Sequence, residues 1–413
     1  MTVDPQNPTA GRSTAALYTL LSVMFINMLG FGVVVPLLPF YAQSFHAPAW
    51  QIALIFSAYS IGAFFGEPFW GRLSDRIGRK PLLISTLCAN CVCYGLLAFA
   101  PNVYFAFVIR MFGGMAAGNG SVVQGYIADV TAPEERAGQI AKLGAAYNIG
   151  LIVGPSLGGM LARPSAGPIG FKIPLLIASA LGGLAALGVA LLVKESRTRT
   201  TGATRAPRPW VMAGYAARHP VIGQLILLTF VVGFAFTGIE STFGLWAQHR
   251  FGWQPRDVGL CFAVTGAVSA FSQFFVTAPL SRRFGEAPML AIGMAGTAIS
   301  IGLQPLSNGH WSTITLMGFT ALFQSVAFPN AGALMSRAID ENHQGQIMGL
   351  NNAAGAIARV GGPLCAGLLF TGISVNAPFI MGAMIVAPAI FLAISAGRAA
   401  SAQRHQAMAT AAE

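Results

Sequence analysis

The chain has 413 residues, of which 54% are hydrophobic and 9% charged, and its mean hydropathy is +0.64. A soluble domain carries about 25% charged residues, so this composition excludes one. The net charge of +11 does not point to a nucleic acid, because the basic residues lie in separate short loops beside apolar runs.

Runs of about 20 apolar residues, each long enough to cross a hydrocarbon core of ~30 Å, recur from end to end. They are continuously apolar and rich in Gly and Ala rather than alternating. In a bilayer such runs satisfy their backbones as helices. Twelve spans are expected, near 16–41, 51–70, 82–100, 103–127, 138–162, 173–193, 220–248, 257–280, 288–306, 311–335, 345–371 and 375–396. The first run lacks a strongly basic leader and an early small-residue cleavage site, so it reads as a permanent span.

Lys and Arg set the orientation. Arg12, Arg72, Arg76, Arg79, Lys80, Arg136, Lys142, Lys194, Arg197, Arg218, Arg282, Arg283, Arg337, Arg398 and Arg404 fall on one side of the spans. Arg163, Lys172, Arg250 and Arg256 fall on the other. Both termini are therefore expected in the cytoplasm of a multi-pass protein of a bacterial inner membrane.

The chain repeats itself. Ile52–Phe65 matches Val258–Phe271, Leu73–Leu83 matches Leu280–Leu290, Glu134–Ile140 matches Glu341–Ile347, and Ile152–Leu161 matches Val360–Leu369. The offset is 206 residues for the first match, 207 for the second and third, and 208 for the fourth. The fold class expected is therefore an all-α membrane protein with twelve transmembrane helices in two pseudo-symmetric six-helix bundles. Its domains are 1–193, a basic cytoplasmic linker over 194–218, and 219–413. A parallel repeat of this kind is the plan of a secondary transporter.

Few residues carry chemistry. Cys88, Cys91 and Cys93 lie on one predicted helix with no His or carboxylate beside them, so they read as small fillers rather than metal ligands. No phosphate-binding GxxxxGK[ST] sequence occurs, which argues against an ATP-driven pump or a membrane enzyme. Charges inside a bilayer are costly and usually functional. Four stand within or near spans: Glu67 on span 2, Arg110 on span 4, Glu240 on span 7 and Arg359 on span 11. Glu240 lies about twenty residues into its helix, roughly 30 Å along the axis, toward the extracytoplasmic end. A carboxyl in a partly dry cavity can load and release a proton. Glu240 is thus the first candidate for proton coupling; the alternative is a structural ion pair with Arg359.

Four segments carry a family resemblance. They are GRLSDRIGRKPLL (Gly71–Leu83), RMFGGMAAGNGSVVQGYIADV (Arg110–Val130), GLIVGPSLGG (Gly150–Gly159) and GFGVVVPLLP (Gly30–Pro39). Together they resemble the major facilitator superfamily in its twelve-span drug/proton antiporter branch. The group brought closest is the tetracycline/proton antiporters. Those proteins hold acids inside spans 1, 3 and 9, where this chain has Asn27, Cys93 and a residue near Gly296.

The resemblance implies alternating access without an organic cofactor or metal, the proton being the coupling ion. It implies that spans 1, 4, 7 and 10 line a cavity, with 2, 5, 8 and 11 at the interface between halves. Arg110 then joins Glu240 and Arg359 in proton coupling or binds an anionic substrate. Glu67, Gly71, Asp75, Arg76, Gly78, Arg79 and Asp129 form a cytoplasmic gate, in which Asp75 accepts hydrogen bonds from an Arg and from helix N–H groups. Gly150, Gly154, Pro155, Gly158 and Gly159 form the antiporter motif of span 5, as close packing, as a hinge or seal between the halves, or as both. Asn27, Gln124, Asn148, Gln324, Asn330 and Asn351 are cavity candidates or ordinary interhelical hydrogen-bonding groups. Phe234, Phe236 and Trp246 offer apolar surface for a lipophilic ligand, or simply pack. The function expected is proton-coupled export of small, partly lipophilic compounds by a monomer. Proton-coupled uptake of a nutrient or organic anion is the alternative.

Overall fold

The computed structural model describes residues 8–117, 119–131, 133–196, 214, 219–339 and 344–412. Most of the linker expected over 194–218 therefore lies outside the described residues, as do Glu341–His343 of the repeat and Gly118 of the span 4 motif. Among the described residues the chain is helical, with no strand.

The helices, in order, are α1 (Pro8–Val34), α2 (Leu38–Gln43), α3 (Ala49–Ile77), α4 (Arg79–Leu97), α5 (Val103–Met115), α6 (Asn119–Val130), α7 (Pro133–Leu161) and α8 (Lys172–Leu192). The second half contributes α9 (Pro220–Phe251), α10 (Pro255–Phe271), α11 (Ala278–Phe284), α12 (Glu286–Leu303), α13 (His310–Arg337), α14 (Gln344–Gly372) and α15 (Ala377–Ala412). Local chemistry sets several ends. The Asn102 side chain accepts from the N–H groups of Tyr104 and Phe105 at 3.1 and 3.0 Å and so caps α5. Gly252, at φ +70°, ends α9 in the left-handed conformation. Gly78 (φ +103°) and Gly285 (φ +87°) occupy equivalent turns of the repeat, conformations that only glycine adopts without strain.

Three expected spans are not continuous α-helices. In span 1, α1 gives way to a 3₁₀ turn over Val35–Leu37 before α2. Pro36 and Pro39 there each lack an N–H for the ladder. In span 8, a π-helical stretch over Ser272–Thr277 separates α10 from α11, just before Pro279 interrupts the same ladder. Span 4, expected as one helix over 103–127, is α5 and α6 with a break at Ala116–Ala117. Gly113, Gly114 and Gly120 flank that break, and each weakens a helix by ~1 kcal/mol relative to Ala. The freed Met115 carbonyl accepts the Trp70 indole N–H from α3, as a bilayer demands of any exposed backbone group. Eleven stretches among the described residues are long and apolar enough to cross a membrane, and α5 is a shorter apolar helix.

The helices gather into two compact units. One comprises Met1–Ala47, Ala58–Thr204 and Trp253–Ala263; the other comprises Pro48–Ser57, Arg205–Gly252 and Val264–Glu413. In the first, α1 packs on α7 and α8, and α4 on α8, α5 and α6; in the second, α9 packs on α14 and α15, and α12 on α13 and α15. These are the same pairings displaced by the sequence repeat. Each unit has its own apolar core, around Leu20, Leu83, Val122 and Ala186 in one and Ile222, Leu290, Ala331 and Val386 in the other. The first turns of α3 belong to the second unit, where Ser57 donates to the Val360 carbonyl at 2.8 Å.

Several helices touch backbone to backbone. A Cβ on Gly62 would fall 2.0 Å from the Met111 carbonyl, and one on Gly114 would fall 1.9 Å from the Tyr59 carbonyl. Gly114→Ala should therefore push α5 off α3 and cost ~1–3 kcal/mol, the usual range for overpacking. A fall in unfolding temperature in detergent checks this. Gly138→Ala, with nothing within 4 Å of the new carbon, should show no fall.

Candidate functional site

The loop between α3 and α4 is built around Arg79. Its guanidinium pairs with Asp75 at 3.0 Å and with Asp129 at 3.2 Å, and it also donates to the Ser74 hydroxyl. Arg79 is 8% exposed. Gly125 on α6 makes this burial possible, because a Cβ there would meet the guanidinium carbon at 2.6 Å. The chain after α8 closes the cluster. Ser196 donates to Asp129 at 3.2 Å, Tyr126 donates to the Lys194 carbonyl at 2.9 Å, and the Glu195 carboxylate accepts the N–H groups of Arg79 and Lys80 at 2.8 and 3.1 Å. Of the expected gate residues, Asp75, Gly78, Arg79 and Asp129 are thus brought together. Arg76 and Glu67 are exposed on α3, and Gly71 is half-buried, its carbonyl accepting from Ser74 at 2.7 Å.

The second unit holds the counterpart with charges reversed. Arg337 pairs with Glu286 at 2.7 Å. Arg79 and Glu286 stand 207 residues apart, Asp129 and Arg337 208, and Asp75 and Arg282 207, all within the offsets of the repeat. Glu286 opens α12 and Arg337 closes α13, so each charge suits the end of its helix dipole. In the first unit Arg79 opens α4 and Asp129 is the penultimate residue of α6, so both oppose it.

Arg110 is 4% exposed, with its guanidinium carbon 4.3 Å from the centre of the Tyr59 ring. It faces a small cavity lined also by Asn90, Cys93, Tyr94, Leu97, Ile109 and Gly113. Its Nε has no hydrogen-bond partner among the described residues, and none of the ion pairs found there involves it. Cys93, at the position of the missing span 3 acid, therefore sits beside a buried cation.

Glu240 is half-buried on α9, and Arg359 is exposed on α14. Among the described residues no ion pair joins them. Arg359 instead lies along its own helix, 3.6 Å from where a Gly355 Cβ would stand.

The polar cavity candidates divide. Asn330, 2% exposed, donates to the Val326 carbonyl of its own helix at 2.7 Å. Gln324 Nε2 and Asn351 Oδ1 are buried without partners among the described residues. Asn27 is buried, Asn148 half-buried and Gln124 exposed. Phe234 and Phe236 are half-buried, and Phe234 packs on Phe230 at 5.8 Å. Trp246 is wholly buried, its N–H donating to Asn376 at 2.8 Å. It packs rather than lines.

The span 5 motif is a packing surface. Cβ atoms on Gly150, Gly154 and Gly158 would lie 2.7, 2.7 and 2.3 Å from α1 backbone, and one on Gly159 would lie 2.5 Å from the Pro255 carbonyl. Pro155 stands inside α7 among these contacts.

Sequence reasoning passed over Glu195, Trp70, Gly125 and the Glu286–Arg337 pair. The pair was open to discovery: aligning the two halves places a carboxylate opposite Arg79 and an arginine next to the position opposite Asp129. Nothing in sequence marks Trp70, whose partner exists only because span 4 breaks.

A model described as Major Facilitator Superfamily matches residues 20–278 and 225–409. The class C tetracycline resistance protein of Escherichia coli is 30% identical over 86% of this chain and 89% of its own length. Multidrug resistance protein 2 of Bacillus subtilis (strain 168) is 26% identical over 89% and 91%. Among solved structures, the human organic anion transporter MFSD10 (TETRAN) matches with a TM-score of 0.69 at 21% identity, covering 94% of this chain and all of that one. A bacterial homologue of the human lysosomal transporter Spinster matches with a TM-score of 0.76 at 15% identity, covering 94% and 97%.

The charge reversal makes a direct prediction. Glu286→Arg or Arg337→Glu alone should each lower the unfolding free energy by up to ~1 kcal/mol, the range for a partly exposed pair. The double variant should recover at least half of the loss in a thermal-unfolding cycle.

Proposed function

The chain belongs to the major facilitator superfamily and is a multi-pass membrane transporter, and we propose that it exports small, partly lipophilic compounds in exchange for protons. The observation that carries this reading is Glu240. It is a carboxylate deep in a transmembrane helix with no ion-pair partner among the described residues, in a chain whose similar relatives are named for tetracycline and multidrug resistance. A membrane carboxylate without a counter-ion is costly when charged, and binding a proton removes that cost. Glu240 is the coupling site, working with Arg110 and Arg359. The proton is the coupling ion, and no other cofactor is required. The transporter acts as a monomer in a bacterial inner membrane, with both termini in the cytoplasm.

The Arg79 cluster is the cytoplasmic gate. It lies away from any cargo and biases alternating access through the helices that it ties together. Tetracycline itself fits poorly, since Asn27, Cys93 and the region of Gly296 carry no acid to meet a metal-chelated drug. One observation favours a second reading. Arg110, buried without a carboxylate, suits an organic anion, and the similar structure of MFSD10 is that of an organic anion transporter.

The test is transport in proteoliposomes under an imposed pH gradient, with a panel of lipophilic drugs and organic acids. Export predicts that a drug triggers inward proton movement. Uptake of an organic acid with no drug response would select the second reading. Glu240→Gln should reduce gradient-driven flux to the level of empty liposomes, and flux at the original level would reject its role. Asp75→Asn should abolish transport in a protein that still folds and inserts, because the Asp75 side chain is 36% exposed and losing its pair costs at most ~1 kcal/mol.

A further inference from the structure

The first residues after α8 do more than leave the membrane. Glu195 lies against the turn that opens α4, with one carboxylate oxygen accepting the Arg79 N–H at 2.8 Å and the other accepting the Lys80 N–H at 3.1 Å. These are two of the orphan donors that every helix start leaves. No side chain of the turn caps them, because the N-cap is Gly78. Gly78 also provides the room, since a Cβ there would stand 2.5 Å from Glu195 Oε2. The same stretch is fastened at three further points. Lys80 Nζ donates to the Ala190 carbonyl at 2.7 Å, Tyr126 to the Lys194 carbonyl at 2.9 Å, and Ser196 to Asp129 at 3.2 Å.

The second unit shows why a carboxylate is needed here. The turn at Gly285 has nearly the same backbone, φ +87° against φ +103°, but α12 opens with Glu286 and supplies its own negative charge. The start of α4 instead carries Arg79 and Lys80, two cations at the positive end of a helix dipole. We infer that Glu195 is the positioning residue of the Arg79 cluster: its carboxylate caps the start of α4, offsets the misplaced cations and fixes Arg79 where it reaches Asp75 and Asp129 together. The entry to the linker and the loop between α3 and α4 thereby form one unit. The value of this clamp for transport rests on the gating role proposed above; the clamp itself can be tested without any cargo.

The experiment is amide hydrogen exchange on the full chain in lipid nanodiscs, comparing wild type with Glu195→Gln and Glu195→Asp. Loss of the charged cap should speed exchange at Arg79 and Lys80 about tenfold in Glu195→Gln, as for other lost caps. Glu195→Asp should hold the wild-type rate to within about threefold. The amides of Glu286 and Ala287, at the equivalent start of α12, which Glu195 does not serve, should not change in either variant. Wild-type exchange in Glu195→Gln, an equal rise at α12, or an Asp variant that behaves like the Gln variant would overturn the inference.

Discussion

The Arg79 guanidinium is the point on which the turn between α3 and α4 of the first unit depends. It reaches a carboxylate in the last turn of α3 and another on α6, while its backbone N–H is held by a third from the chain beyond α8. Without those three anions a nearly buried cation would sit at the positive end of a helix, an arrangement that electrostatics disfavours twice, through desolvation and through the dipole. Gly78 and Gly125 belong to the same solution. One lets the Glu195 carboxylate approach, and the other leaves room for the guanidinium.

The two units share helix pairings and turn geometry but not charge order. In the second, Glu286 and Arg337 stand where the helix ends favour them, and one pair suffices. In the first, the paired charges are reversed and extra anions are recruited. An arrangement held by mutual compensation comes apart when one member is disturbed, whereas a dipole-matched pair does not depend on third parties. The first unit's cluster is therefore the more readily disturbed of the two.

Composition and the repeat made the architecture legible, because long apolar runs in a bilayer admit few solutions and two copies of a motif disclose their own boundaries. Arg79 and Asp129 were legible as well, since charge in a short loop beside membrane helices rarely lacks a role. The breaks in spans 1, 4 and 8 were not. A sliding apolar run says nothing of where glycine and proline interrupt a ladder, or of a Trp70 that waits about two turns beyond Gly62 for a freed carbonyl. Glu195 escaped notice because it sits at the start of a basic linker and reads there as solvated charge. Glu240 and Arg359 stand out in sequence as charges on membrane helices, but sequence does not tell whether they meet, and among the described residues no ion pair joins them.

Arg79 and Asp129 act as one interaction across the first unit rather than as two independent surface charges. A double-mutant cycle on thermal unfolding, with Arg79→Gln, Asp129→Asn and the two combined, measures it most directly. A coupling free energy of ~1–3 kcal/mol is expected, with the double variant hardly worse than either single one. Losses that simply add would contradict it.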